Sequence, residues 1–242
     1  PEDEFGEHLK GMTKTTNRGI PIYLYASSGR PQIVTPLQST TQANIKKFGQ
    51  GMEMGDDIRL FELSNDAFQT LRSQYMNINI RPGSATLAIG VVVDGYLIGV
   101  YAFSAGPTVA QWDKHIETPT VYLLSDFPVE PTDYKHLAKL VLYAALSKES
   151  KRIAERITKR RAASLVTTAF SKNPESMKYR GLFKVLNRKH NDSLQKADWA
   201  KDIDPANAYY MQPYEINYGA PLGQWTLQEG LALWKKKHSQ KR

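Results

Sequence analysis

Two nearly continuous apolar runs, Ala85 to Val93 and Tyr96 to Phe103, are separated only by Asp94-Gly95. Asp-Gly suits a two-residue type I′ turn, in which both central positions need positive φ. β-Branched and aromatic residues on both arms make the segment an antiparallel hairpin. Arms with no polar alternate face belong in the middle of a sheet covered on both sides. The rest of the chain must therefore bring helices to both faces of a central sheet.

The flanking segments read accordingly. Ile58 to Leu63 is a strand, Ser64 an N-cap, and Ala67, Phe68, Leu71 and Tyr75 recur at helical spacing. Thr120 to Leu124 is another strand, lying after a loop with Pro107 and Pro119 and ending in Ser125-Asp126-Phe127-Pro128. A long helix is expected from Thr132 or Asp133, with Leu137, Leu140, Val141, Ala144 and Ala145 on its apolar face and phasing that runs on through Ile153 and Ile157. Ser164 to Phe170 reads as a strand, Pro174 to Tyr179 as a short helix or turn, and Leu182 to Leu186 as a strand. A final helix is opened by Thr226 and Glu229 at capping-box spacing. The fold class is α/β (α+β), a mixed sheet with helices on both faces.

The expected domains are an N-terminal extension over 1–57, a core over 58–190, and a C-terminal extension over 191–242 packed on the core. The first is Gly/Pro-punctuated around a strand-like Ile22 to Ala26, and the last is polar and aromatic. The chain opens at Pro1 without a charged-then-apolar leader, which fits a processed product or a piece of a longer polypeptide.

Among 242 residues there is no cysteine, which excludes disulfides, thiol nucleophiles, iron-sulfur clusters and cysteine-ligated zinc. The apolar runs are too short to span a bilayer, so a soluble protein with no membrane partner is expected. His8, His115, His136, His190 and His238 show no metal-binding spacing, so no metal ligand is assigned. The net charge of +8 is regional: residues 134–190 hold 15 Lys and Arg against three Glu, a balance of +12. Such a stretch suits a phosphate-rich partner, nucleic acid or a polyphosphate cofactor, and equally a solvated helix face. Lys151, Arg152, Lys159, Arg160 and Arg161 are its candidate nucleic-acid contacts, joined by Lys178 and Arg180.

Asp126 is the foremost candidate for chemistry, because it follows an apolar strand where an α/β sheet opens at its carboxyl edge. Its carboxylate serves there as a general base or as an orienting hydrogen-bond acceptor, and the bland alternative is a turn-capping Asp. Ser125 beside it shares the site or is an ordinary turn residue. Thr167, Thr168 and Ser171 offer hydroxyls at a strand end. Tyr209, Tyr210, Tyr214, Tyr218 and Trp225 are rings for stacking on an extruded base or, on the reading we favour, for packing the C-terminal arm.

The element order, one long helix directly after the strand that ends near Asp126, resembles the GCN5-related acetyltransferase (GNAT) fold. The segment Val129-Glu130-Pro131-Thr132-Asp133-Tyr134-Lys135-His136-Leu137-Ala138 is similar to that family's V-x-P-x-Y-R-G-x-G-x-G phosphate loop, with His136 and Ala138 in place of glycines. Asn173-Pro174-Glu175-Ser176, Tyr179 and Gly181-Leu182-Phe183 resemble the segment that closes its cofactor side. Among members with an altered phosphate loop, residues 58–190 are most similar to phage Mom-type DNA modification proteins. The resemblance implies an acetyl-CoA-dependent transferase acting on adenine in DNA, with an antirestriction role and a place in the bacterial host cytoplasm. Val129, Lys135, His136, Leu137, Ala138, Ser171 and Ser176 would then hold the cofactor, and Tyr179 would be the general acid for the departing thiolate. Some Mom-type proteins are thought to need iron; no spacing in this sequence shows a site for it. The alternatives are a GNAT acting on a small-molecule or protein amine and a non-catalytic nucleic-acid-binding module.

Overall fold

The computed structural model describes residues 11–17, 20–26, 46–76, 85–104, 115–190 and 212–241. The chain divides into two compact units, Pro1–Leu37 and Gln38–Arg242. In the first, β1 (Gly11–Asn17) and β2 (Ile20–Ala26) form an antiparallel pair in which Gly11 faces Ala26 and Asn17 faces Ile20.

The second unit is built on a seven-stranded sheet. Its strands are β3 (Ile58–Leu63), β4 (Leu87–Val93), β5 (Tyr96–Ser104), β6 (Thr120–Pro128), β7 (Ser164–Ser171), β8 (Lys184–His190) and β9 (Tyr214–Pro221). They lie in the order β3-β4-β5-β6-β7-β9-β8, antiparallel throughout except for the β6–β7 pair. The β4–β5 hairpin forms as expected: Asp94 and Gly95 have φ of 50° and 79°, and Val93 faces Tyr96. Every residue of β5 between Tyr96 and Ser104 is buried, so this hairpin is the centre of the core.

Helices cover both faces. On one, α1 (Asn65–Tyr75), capped by the Ser64 side chain, packs Phe68 and Leu71 against Ala88, Val100, Ala102, Phe127 and Val129. On the other lie α2 (Leu137–Ala145), α3 (Lys148–Thr158) and α4 (Leu227–His238). Leu137, Leu140, Val141, Leu231 and Trp234 meet Ile89, Tyr101 and Phe103 there. The capping box is present at α4: Thr226 Oγ1 accepts from Glu229 N, and Glu229 returns the bond. Phe48 and Met54 are part of this core too, and β9 lies between β7 and β8.

The structure departs from the sequence reading in four places. The long helix is two helices, because Ser147 caps α3 through its side chain. The carbonyl of Leu146 meanwhile accepts from Gly223 N and Gln224 N instead of continuing α2. α2 begins at Leu137, not at Thr132 or Asp133, whose side chains accept from Tyr134 N and Gly51 N and so hold a loop. β6 continues through Asp126 to Pro128, paired with β5. Of the two alternatives read for residues 174–179, a short helix or a turn, the structure takes the turn. The strand expected at 182–186 runs from Lys184 to His190, because β9 supplies a partner for residues a propensity reading leaves in a loop. Tyr209, Tyr210 and the loop at Pro107 lie outside the described residues.

Gly99 sits where β5 passes beneath α2. A Cβ there would lie 2.4 Å from Val141 Cγ2 and 2.6 Å from the Phe127 carbonyl oxygen, and the latter is backbone that cannot yield cheaply. Gly99→Ala should therefore lower unfolding stability by about 1–3 kcal/mol. Gly55→Ala should cost less, because the group it meets is the Asp94 carboxylate at the end of a side chain. Urea denaturation of the two variants checks the ranking.

Candidate functional site

β6 and β7 run parallel but pair only at Thr120–Ser164, Val121–Leu165 and Tyr122–Val166. Above these three pairs the strands share no ladder, although β6 continues to Pro128 and β7 to Ser171. At the parting point the Thr167 hydroxyl donates to the Leu123 carbonyl at 2.9 Å, taking the place of the next backbone bond. Leu124 is a bulge residue, for Phe103 faces Leu123 while Ala102 already faces Ser125. The sheet thus opens a wedge at its carboxyl edge, floored by Thr167.

Asp126 projects beside this wedge. Register places it opposite Tyr101, on the face covered by α2. Its side chain is only 3% exposed, and a buried carboxylate needs partners. Both come from one turn: Tyr179 Oη donates to Asp126 Oδ2 at 2.8 Å, and the Lys178 ammonium forms an ion pair with Oδ1. Lys178 Nζ also donates to the Asp126 carbonyl at 2.7 Å. The turn itself is anchored, since Ser176 N donates to Tyr218 Oη at 2.6 Å and the Tyr179 ring packs on Tyr218 and Phe183 with centroids 4.9 and 5.4 Å away.

Asp126 and Tyr179, named from sequence, are therefore in direct contact. Lys178, read as a phosphate ligand, is instead the counter-charge of Asp126. Ser125 is buried on the opposite side: it alternates with Asp126 and shares the α1 face with Ala102 and Phe127. Thr168 Oγ1 donates to Asn217 Oδ1 at 2.8 Å on that same opposite face. The role of β9 was not legible locally, since Asn217 and Tyr218 sit in a polar, aromatic tail with no strand signal.

Cations gather at the N-terminus of α2. His136 occupies the cap position without a side-chain bond, so the first-turn amide groups have no side-chain acceptor. Lys135 and His136 are exposed, Ala138 is half-buried, and Val129 and Leu137 bury their side chains in the core. Lys135 N donates to the Gln240 carbonyl at 3.3 Å. Lys139 Nζ donates to the Arg180 carbonyl at 2.6 Å. Burial first and the Arg180 charge second push the Lys139 ammonium below its usual pKa, offset in part by Glu175. His238, whose ring lies 5.7 Å from that of His136, is pushed down by burial and then by Lys139, His136 and Lys237. A surplus of positive charge at a helix N-terminus fits an anionic group such as a pyrophosphate. Ser171 and Ser176 lie at the other lip, Ser171 accepting from Asn173 N at 3.1 Å.

The basic residues chosen from sequence separate in space. Lys178 and Arg180 are at the wedge. Lys159, Arg160 and Arg161 are exposed ahead of β7, where Ala163 N bonds the Pro119 carbonyl, about 20 Å along β6 from Asp126. Lys151 and Arg152 lie on α3, with Lys151 against Gly223 at that same far edge. No group of three His, Cys, Asp or Glu positioned to hold a metal such as iron occurs among the described residues. No described helix is long and apolar enough to cross a membrane.

A family model for a phage GNAT-like domain matches residues 55–239. Among solved structures, a Bacillus subtilis acetyltransferase in complex with CoA is 17% identical, with 68% of this chain and 97% of that one covered and a TM-score of 0.40. An Elizabethkingia anophelis GNAT family acetyltransferase with acetyl-CoA bound is 11% identical, with 69% and 100% covered and a TM-score of 0.37. The Escherichia coli ribosomal-protein-S18-alanine N-acetyltransferase is 12% identical, with 69% and 96% covered and a TM-score of 0.39. A search of the curated proteins finds no match.

Removing the ammonium of Lys178 leaves a buried carboxylate without its counter-charge. Lys178→Met should cost about 3 kcal/mol of stability or more. Arg156→Met, which breaks the exposed pair with Glu62, should cost under about 1 kcal/mol. Chemical denaturation of both variants tests the contrast. Separately, Lys139→Ala removes a cation beside His238, so the imidazole should titrate at higher pH, read by NMR of its ring protons.

Proposed function

Because the chain belongs to the phage GNAT-like domain family, we propose that it is an acyl-CoA-dependent transferase that modifies a nucleobase in DNA, with adenine N6 the target and antirestriction the role. The single observation that carries the reading is the wedge between β6 and β7 with a buried carboxylate and a tyrosine hydroxyl hydrogen-bonded at its mouth. Acyl transfer to nitrogen needs one proton removed from the attacking amino group and one delivered to the leaving sulfur. Asp126 and Tyr179 are a base and an acid already in contact.

Bound acyl-CoA would supply the activated thioester. The α2 amino end, Lys135, Lys139 and Arg180 would hold its phosphates, with side-chain charge standing in for the backbone approach that glycines at 136 and 138 would allow. In such a transfer Asp126 would take the amino proton as the nitrogen–acyl bond forms, and Tyr179 would give its hydroxyl proton to the departing sulfur. Tyr179 then recovers a proton from Asp126 along their hydrogen bond, which resets the pair with no net change in the protein. Lys178 supplies the counter-charge to the carboxylate.

DNA as the acceptor is supported by the cations of the segment that follows β7. Residues 172–190 carry six Lys and Arg against Glu175, and β8 within that segment is an edge strand. A small amine needs no such surface, whereas a phosphodiester backbone does.

The test is to express the chain in bacteria, digest host and plasmid DNA to nucleosides, and search by mass spectrometry for a modified adenine. An adduct whose mass is that of an acyl group is the expected result. Unaltered nucleosides from soluble, folded protein that binds acetyl-CoA by calorimetry would shift the acceptor to a small-molecule or protein amine. Asp126→Asn should reduce adduct formation roughly 10²-fold or more while acetyl-CoA binding is retained. DNA binding should fall steeply with salt, and a flat salt response would count against a nucleic-acid substrate.

A further inference from the structure

Resting on the reading of DNA as substrate, we propose that Met177 is a wedge that enters the base stack of duplex DNA and holds the target nucleotide extruded toward Asp126. Met177 is 65% exposed, and with Phe61 it is one of two large apolar side chains left exposed among the described residues. Its place is not a floppy loop. The preceding Ser176 is tied to Tyr218, and the two following residues, Lys178 and Tyr179, are both tied to Asp126. Arg180 Nη1 lies 3.7 Å from Met177 Sδ, and its backbone carbonyl is bound by Lys139. A pinned turn thus carries an exposed apolar side chain next in sequence to Lys178 and two residues from Tyr179, the two partners of Asp126.

Two constraints make that arrangement useful. The Asp126 carboxylate is buried, so a base still stacked in a duplex cannot reach it and must leave the helix. Extrusion leaves a gap in the stack, and an unbranched, polarisable thioether fills irregular apolar space well. A cation suited to a flanking phosphate lies beside the turn: Lys172 is exposed ahead of it. Arg188 lies on the same face as Tyr218, whose hydroxyl feels its charge. Lys159, Arg160 and Arg161 are too distant to grip the same nucleotides.

The experiment compares wild type, Met177→Ala and Met177→Leu, each confirmed folded by circular dichroism, on a short duplex and on its adenine-bearing single strand. Adduct formation is followed by mass spectrometry. Because unstacking costs a few kcal/mol, Met177→Ala should slow duplex modification by about tenfold or more while leaving the single strand unaffected, and Leu should restore most of the duplex rate. With 2-aminopurine at the target position, wild type should raise fluorescence in the duplex and Met177→Ala should not. Equal rates on duplex for Met177→Ala and wild type, or equal losses on both substrates, would overturn the wedge. Modification of neither substrate by wild type would instead remove the DNA reading, and the wedge with it.

Discussion

Parallel strands that pair over three residues and then part must satisfy the backbone groups they no longer exchange, and the remainder of this site follows from how that is done. The Thr167 hydroxyl takes the Leu123 carbonyl at the branch point, and the Leu124 bulge re-aims the residues beyond it. β6 keeps its ladder to β5 as far as Pro128, so Asp126 is carried up one wall of the gap as part of a rigid strand. A loop aspartate would turn outward to water. A strand aspartate facing the helix layer cannot, and the protein must bring its partners to it.

Those partners explain the shape of the segment after β7. Lys178 and Tyr179 are consecutive, and both reach Asp126 only because the turn is pinned from behind by Ser176 on Tyr218. Tyr218 in turn belongs to β9, which lies between β7 and β8 and pairs with both. The site is therefore completed by a strand far along the chain, and the tail is structural to the chemistry through one tyrosine pair. Trp225 and Trp234 extend the same logic at the helix layer, donating to the carbonyls of Tyr143 and His136.

Much of this was legible in the sequence where local rules decide. Asp94-Gly95, the Ser64 cap and the Thr226–Glu229 capping box each specify their geometry within a few residues, and each forms. Asp126 and Tyr179 were singled out separately, one by its place after an apolar strand and the other by the resemblance, and the fold brings them into contact. What failed depended on distant partners. The break at Ser147 is invisible to helix periodicity because it is held by the turn at 223–225. β8 extends past Leu186 because β9 is beside it. Lys178 looked like one more cation in a basic stretch, and nothing in its spacing to Asp126 distinguishes a counter-ion from a phosphate ligand.

The basic stretch divides along the same lines. A charge count over 134–190 merges residues at opposite ends of β6, and only the fold separates them. Near the wedge, Lys139 and His238 are both pushed toward their neutral forms, by burial first and by neighbouring cations next. Holding cations this close without enough carboxylate is unfavourable in the free protein, and an incoming anion relieves it. A phosphate bound there is held chiefly by charge, where a glycine-rich loop would use close-fitting backbone amides. Charge attraction tolerates variation in ligand position and is screened by salt, so on the proposed function this end of α2 would trade geometric precision for long-range pull. On the proposed function, the same trade would suit a site that draws one polyanion to the wedge while a second lies across the adjoining strands.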